Sequence, residues 1–478
     1  MLSEVEVGYR PAFQLATQIA TRQISPVDVV EALLARIERL NPLLNAYCTL
    51  TADRALEDAR QAEAAVMRNP ERLGPLHGVP LSIKDLIATR GIRTTRGSRL
   101  WENWVPEQDA PVVERVRAAG AIVLGKTNTP EIGWKGATHN PLFGPTRNPW
   151  DVTRTPGGST GGGSAQVAAG LGPIAIGTDG GGSIRIPAAF AGCYGFKPSF
   201  GRVPMYPQSP NASVAHCGPL ADTVHDAALA LNVLAGPDDR DRLSLPASDT
   251  VYLAAIGAEA IETSLRGLKV AWCADFGWNY WPVAPDVLQA AHSAAQRFAD
   301  FGCEVVEVRP DWAGPMEAWS TIFYGGIVGQ VGPRLEQVRD LLDPGLVRII
   351  ETYQTDSLQD YVLADAARAA FWDQVRSFFG EYALLLTPTM PMPAFPLHQD
   401  TPGPVPGRLP NGLGWSFFTY PFNLTGQPAA SLPCGFTADG LPIGLQVVGR
   451  RHADALVLTA SAAFEAAAPW QARRPPLS

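Results

Sequence analysis

The sequence predicts one large α/β protein in which helices and strands alternate from end to end. Two observations carry this. Apolar segments of strand length are interleaved with segments whose apolar residues recur at helical spacing, and no internal repeat interrupts the alternation. The 478 residues are 46% hydrophobic and only 18% charged, enough to bury a sizeable core. Length alone would allow about three domains. Large α/β enzymes often keep one sheet, so the expectation is a single domain, 1–478. Within it we distinguish N-terminal helices (1–70), the chemistry-bearing segment (75–235), a variable region (240–400) and a return to the core (401–478).

Taken in order, residues 25–42 (SPVDVVEALLARIERLNP) predict a helix. Ser25 is placed as N-cap, Pro26 at the first helical position and Asp28 in the first turn, with Val29, Val30, Leu33, Leu34, Ile37 and Leu40 at helical spacing. A second helix follows from Thr51 to Val66. PLHGVPLSIKDLIA (75–88) reads as a turn and a short apolar strand carrying Lys84. AGAIVLGKTN (119–128) reads as a helix end, a buried strand and a loop. Residues 130–165 are rich in Gly, Pro, Asn and Thr and predict loop. QVAAGLGPIAIGTD (166–179) predicts a small-residue helix, a turn and a strand. A helix is expected over 222–235 and a polar linker over 236–250. Strands are expected in 268–277 and 303–308 around a helix at 286–301, with helices through 312–380. The stretch 387–410 is proline-rich loop, and the chain closes with the strand PIGLQVVGR and a final helix.

Composition removes several function classes. A net charge of −8 and a pI near 5.5 argue against nucleic acid or an anionic membrane as the main partner. Six scattered cysteines without C-x-x-C suit reduced thiols, and the seven histidines show no metal-binding spacing, so neither a metal nor a cofactor is expected. The acidic N-terminus is unlike a secretory signal, and no run of 18 apolar residues occurs. The expectation is a cytoplasmic protein, monomer or homodimer, acting on a small molecule. Of 38 basic residues only five are lysines (84, 126, 135, 197 and 269), which makes Lys84 an unusual choice.

Three motifs compete for the chemistry. Residues 120–127, GAIVLGKT, match the phosphate-binding pattern G-x-x-x-x-G-K-[ST]. Their middle residues suit a buried strand, however, and Asn-Thr-Pro follows where a helix should begin. Residues 157–161, GGSTG, match the G-x-S-x-G nucleophile elbow. No strand precedes them, and the only late histidines, His398 and His452, sit in a proline-rich loop and beside two arginines. The third reading joins Lys84 and Ser159 to GTDGGGSIRIPA (177–188). Amide hydrolysis needs an activated hydroxyl, a base and donors for a developing oxyanion. Lys84 can be that base only when neutral. Neutrality near pH 8 asks for a shift of about 2–3 units, or about 3–4 kcal/mol, which an apolar strand supplies by desolvation. Three glycines before Ser183 let backbone amides approach a carbonyl oxygen, and the helix start at 184–187 adds a positive dipole end.

The chain resembles the amidase signature family of serine hydrolases. The likeness runs through PLHGVPLSIKD, GKTNTPE, NPLFGPTRNPW and PGGSTGGGSAQVAAGLGPIAIGTDGGGSIRIPAAFAGCYGFKPSFGRVP, and returns in LTGQPAASLP and GLPIGLQVVG. The resemblance implies an α/β/α sandwich with a mixed central sheet. It also implies a triad of Ser183 as nucleophile, Ser159 on a cis peptide bond as bridge, and Lys84 as base. Gly180, Gly181, Gly182 and Ser183 would form the oxyanion hole, with Gly158, Thr160, Asp179 and Arg185 in support. Gly133 and Trp134 would border the acyl pocket. Gly180 replaces the Thr or Ile usual in the family, which implies a more pliant loop; Thr160 replaces a serine and keeps a hydroxyl. The aromatic residues Trp278, Tyr280, Trp281, Trp319, Phe323, Tyr324, Trp415, Phe417 and Phe418 lean toward aryl or apolar amides, anilides, esters or carbamates. The alternative is the glutaminase subunit of a tRNA-dependent amidotransferase.

Overall fold

Residues 3–211, 213–403 and 414–477 are described by a computed structural model. The strands in chain order are β1 (Tyr47–Leu50), β2 (Pro80–Lys84), β3 (Ile122–Thr127), β4 (His139–Asn140), β5 (Gly144–Pro145), β6 (Ile174–Asp179) and β7 (Tyr194–Lys197). They continue with β8 (His216–Ala221), β9 (Lys269–Trp272), β10 (Glu304–Glu307), β11 (Leu384–Pro388), β12 (Ala429–Phe436) and β13 (Pro442–Gly449). Strands β4 and β5 form a small separate ladder. The other 11 make one mixed sheet in the order β1-β3-β2-β6-β8-β7-β12-β13-β11-β9-β10.

The strand period sorts the core into two layers. Val270, Leu384, Leu386, Ala430 and Val447 pack into the apolar cluster on one face of the sheet. Their chain neighbours Ala271, Leu385, Ala429 and Val448 pack into the aromatic-rich cluster on the other. Alternate residues of one strand must point to opposite faces, so each of these strands is buried on both sides. Helices cover both faces. The helix Pro26–Leu44 begins as expected, with the Ser25 hydroxyl accepting from the Val27 N–H at 3.0 Å. No helix among the described residues is long and apolar enough to cross a membrane.

Two features place the chemistry. Strands β2 and β6 are adjacent and parallel, with Ile83 opposite Ile176, so Lys84 and Thr178 emerge together at the same edge. Beyond Asp179 the chain turns through residues 180–184 into the helix Arg185–Ala191. Carboxyl ends of parallel strands are where α/β sheets build sites.

The structure corrects several expectations. A helix spans Gly161–Ala168, five residues earlier than predicted. Its three leading glycines are poor helix formers, but they are needed for packing: a Cβ on Gly162 would lie 2.4 Å from the Asn128 nitrogen and 2.5 Å from the Ala46 oxygen. Tertiary contact overrides propensity there. Strands β1, β7, β8 and β12 were not legible, being short or interrupted by Pro219 and Pro433. Strand β11 runs into the first residues of the expected proline-rich loop, whose last part, 404–410, lies outside the described residues. The variable region contributes β9, β10 and β11 to the common sheet.

Candidate active site

Lys84 ends β2 with its side chain wholly buried. Its Nζ lies 2.8 Å from Ser159 Oγ, 2.9 Å from Thr178 Oγ1 and 3.0 Å from Thr160 Oγ1. Burial pushes the amine down to about 7; the negative charge of Asp179, and weakly Cys217, acts the other way. An ammonium deprived of water and given no carboxylate partner surrenders its proton readily.

The bond between Gly158 and Ser159 is cis. Gly158 has no room for a side chain, since a Cβ would sit 2.9 Å from the backbone of Gly136 and Ala137. The Thr160 N–H donates to the Ser183 carbonyl at 3.1 Å, which pins the two serine-bearing loops together. Thr160 Oγ1 also donates to the Thr178 carbonyl at 3.2 Å. The hydroxyl at this position thus bonds both the Lys84 amine and the Thr178 carbonyl. Ser183 is 9% exposed and its Oγ makes no hydrogen bond among the described residues, so the link from Ser183 to Ser159 is not closed here. Such bonds are often loose until substrate binds.

Asp179 and Arg185 form a wholly buried ion pair, with contacts of 3.0 Å from Arg185 Nε to Asp179 Oδ2 and from Nη2 to Oδ1. Burial alone would raise the Asp179 pKa, but the Arg185 guanidinium, together with Lys197 and Asn423, outweighs it and holds the carboxyl well below the usual range. The same carboxylate accepts the Gly182 N–H at 2.7 Å and the Ile184 N–H at 3.1 Å. This corrects the four-amide oxyanion hole: the Gly182 donor is already committed to Asp179. The amides of Gly180, Gly181 and Ser183 have no acceptor among the described residues and remain as candidates.

Why three glycines stand here is answered by distant parts of the chain. A Cβ on Gly180 would lie 2.7 Å from Phe323, on Gly181 2.4 Å from Trp319, and on Gly182 2.4 Å from Thr419. The space they vacate is taken by these side chains, so Gly180 is packed rather than pliant. Two of the three also bond the loop. Trp319 Nε1 donates to the Gly180 carbonyl at 2.9 Å and Thr419 Oγ1 to the Gly181 carbonyl at 2.7 Å. In a trans peptide the C=O and N–H point in opposite directions. Holding the Gly180 carbonyl toward Trp319 therefore turns the Gly181 N–H away from it.

Ser183 borders two cavities. The larger, about 990 Å³ with its open mouth, is also lined by Ser159, Thr178 and Gly180. The smaller is lined by Trp134, Gly136, Gly181, Trp319, Phe323, Tyr324 and Trp415. Gly133 borders both and Trp134 the smaller one. The predicted aromatic group is thus divided. Trp319, Phe323, Tyr324 and Trp415 face a cavity, whereas Trp278, Phe417 and Phe418 pack with Phe276 in the core.

Other lysines have structural surroundings. Lys126, from the phosphate-loop pattern, is buried in β3 and donates to the Ile87 carbonyl, Thr89 and Thr94 at 2.5–3.0 Å, so that segment cradles no ligand. Lys135 sits among Asp343 (2.8 Å), Asp400 (2.5 Å) and His139 (2.6 Å), filling the space between three groups that could otherwise share a cation. Sequence reasoning had Trp319 only as a member of the aromatic group, and missed Thr178, Thr419 and Asn423. The last donates to Asp179 at 2.8 Å and accepts from Arg185 at 2.6 Å. Thr178 lies inside the motif 177–188 and Asn423 adjoins another; Trp319 signals only its aromatic ring, and Thr419 carries no local signal.

A family model described as Amidase matches residues 28–458. An acylamidase from Rhodococcus erythropolis is 40% identical over 99% of this chain and 98% of its own length. A glutamyl-tRNA(Gln) amidotransferase subunit from Moorella thermoacetica is 38% identical, covering 99% of both chains. Among solved structures, a bacterial aryl acylamidase of the amidase signature family superposes with a TM-score of 0.89 at 33% identity, covering 97% of each chain. A 6-aminohexanoate cyclic dimer hydrolase with bound substrate gives 0.88 at 29% identity, covering 98% of this chain and 99% of that one.

Proposed function

The chain belongs to the amidase family and is an amidase, and on that premise we propose that it is a stand-alone hydrolase of apolar or aryl amides working through a Ser183–Ser159–Lys84 relay. The observation that carries this is the buried Lys84 amine, without a carboxylate partner, 2.8 Å from Ser159. A neutral amine has two N–H donors and one lone pair. The threonine hydroxyls of 160 and 178 suit the donors, which leaves the lone pair to accept the Ser159 proton.

Ser159 passes its proton to Lys84 and takes one from Ser183, whose Oγ attacks the amide carbon. Negative charge gathers on the carbonyl oxygen and is met by amides of the 180–183 loop, Gly182 excepted. The proton returns from Lys84 through Ser159 to the amine nitrogen, the C–N bond breaks, and an acyl group stays on Ser183. Water then enters by the same relay and releases the acid. Ser159 lines the larger cavity and not the smaller. The departing amine, which must reach Ser159 for its proton, occupies the larger cavity, and the acyl group faces the aromatic one. That lining favours aryl or apolar acyl groups in amides, anilides, esters or carbamates. The continuous sheet supports reading residues 1–478 as one domain.

Initial rates test this on an aliphatic primary amide, glutamine, an acyl p-nitroanilide and an aryl carbamate, with Ser183→Ala as the blank. Turnover of the anilide or carbamate is expected to vanish in Ser183→Ala and to persist weakly in Ser159→Ala. The opposite order would reassign the nucleophile. The second reading, the glutaminase subunit of an amidotransferase that works only in a complex, draws on the relative from Moorella thermoacetica; it requires silence on all four compounds, glutamine included, in the isolated chain.

A further inference from the structure

The larger cavity carries a cation that the relay does not use. Arg96 lines it together with Ser159 and Ser183. Its guanidinium carbon lies 4.9 Å from the ring centres of both Trp101 and Trp104. Among the described residues it has no ion pair and no side-chain hydrogen bond, and its Nε is buried without a partner. The carboxylate whose charge reaches it, Asp85, bonds the Thr95 N–H at 3.1 Å and the Thr95 hydroxyl at 2.5 Å instead. A second arginine, Arg334, stands over the Trp101 ring at 5.9 Å.

This placement is held at a backbone cost. Arg96 has φ of 57° and Gly97 66°, and the Arg96 carbonyl accepts from Ile132, itself at φ 55° and also lining the cavity, at 2.8 Å. Side chains in the left-handed region are strained, and such residues gather at sites where the surroundings insist on them. Several arginines of this acidic chain are paired with carboxylates on the surface. Arg96 instead lines a cleft beside the reacting groups and is left unpaired. Aromatic rings take the faces of a guanidinium and leave its in-plane N–H fork available, which is the geometry a carboxylate accepts in bidentate fashion. Gln330, which lines the same cavity, keeps its Oε1 buried and unpartnered. It can accept an N–H or O–H from the same ligand.

We infer that the larger cavity is a subsite for an amine half bearing a carboxylate, with Arg96 as the group that binds it, so that the preferred substrates are N-acyl amino carboxylates. This rests on the reading above, in which the amine leaves on the Ser159 side.

The test uses the full chain with two series of graded length, N-phenylacetyl ω-amino carboxylates and neutral N-phenylacetyl alkylamines. The carboxylate of matching length is expected to exceed its neutral counterpart in kcat/KM roughly 10- to 100-fold, the range for a charge-assisted pair. That ratio should collapse toward one in Arg96→Gln, chiefly through KM, and be partly kept in Arg96→Lys. Calorimetry of the free ω-amino carboxylate against the free alkylamine gives a readout independent of turnover. Binding of the acid should be lost in Arg96→Gln. Neutral amides turned over with no preference for the acid would overturn the subsite and leave the hydrolase reading standing. Acid binding without turnover of either series would support the subsite and count against the relay. If Arg96→Gln does not fold, the wild-type rate ratio and binding difference decide alone.

Discussion

Replacing Lys84 by methionine separates the chemistry of the amine from its packing. In the unfolded chain a lysine holds its proton to about 10.5, whereas burial lowers the folded value to about 7. The gap of about 3.5 pH units corresponds to about 5 kcal/mol. The unfolded chain binds the extra proton between these values, so the Lys84 contribution to stability improves as pH rises through that window. It is fully unfavourable below about 7 and vanishes above about 10.5. The slope for one proton is about 1.4 kcal/mol per pH unit. Wild type should therefore gain about 2–3 kcal/mol on Lys84→Met between about pH 7 and pH 9. Taking the difference between the two proteins removes the contributions of Lys126 and Lys197, which are also buried with lowered values. Urea denaturation at three pH values measures it. The same ionisation should appear in kinetics, with wild-type kcat/KM rising by a single titration centred near 7 and turnover absent in Lys84→Met. Parallel stability lines for the two proteins would mean that Lys84 titrates as an ordinary lysine, and the base would have to be sought elsewhere.

Two further outcomes are expected. Trp319→Phe keeps the ring stacked between Phe323 and Tyr420 but loses the N–H to the Gly180 carbonyl. Steady-state kinetics should show kcat down roughly tenfold with KM little changed, less than outright removal of an oxyanion donor costs; a rise in KM alone would make Trp319 a wall of the cavity and nothing more. Asp179→Asn leaves Arg185 charged and buried and weakens the grip on the Gly182 and Ile184 amides. Denaturation should reveal a loss of about 3–5 kcal/mol, and unchanged stability would refute the bracing role.

The amino-acid sequence by itself determined the ingredients and their local setting. Lys84 at the end of an apolar strand, and Asp179 with the glycines, Ser183 and Arg185 at a strand–helix junction, were all legible. Strand period, caps and turn residues act over a few positions, and that is the reach of such signals. What the fold decided lies at longer range. Phe323 and Trp319 arrive from about 140 residues downstream of the glycines they cover, and Thr419 from further still. Which amide faces a substrate depends on Asp179 having taken the Gly182 N–H, a choice invisible in a run of identical glycines. The depressed Lys84 amine is likewise a tertiary property, because desolvation depends on what the sheet and both helical layers place around it. So is the division of the aromatic residues between cavity and core, which follows from the sheet order that sets the helices of the variable region over the 180–183 loop.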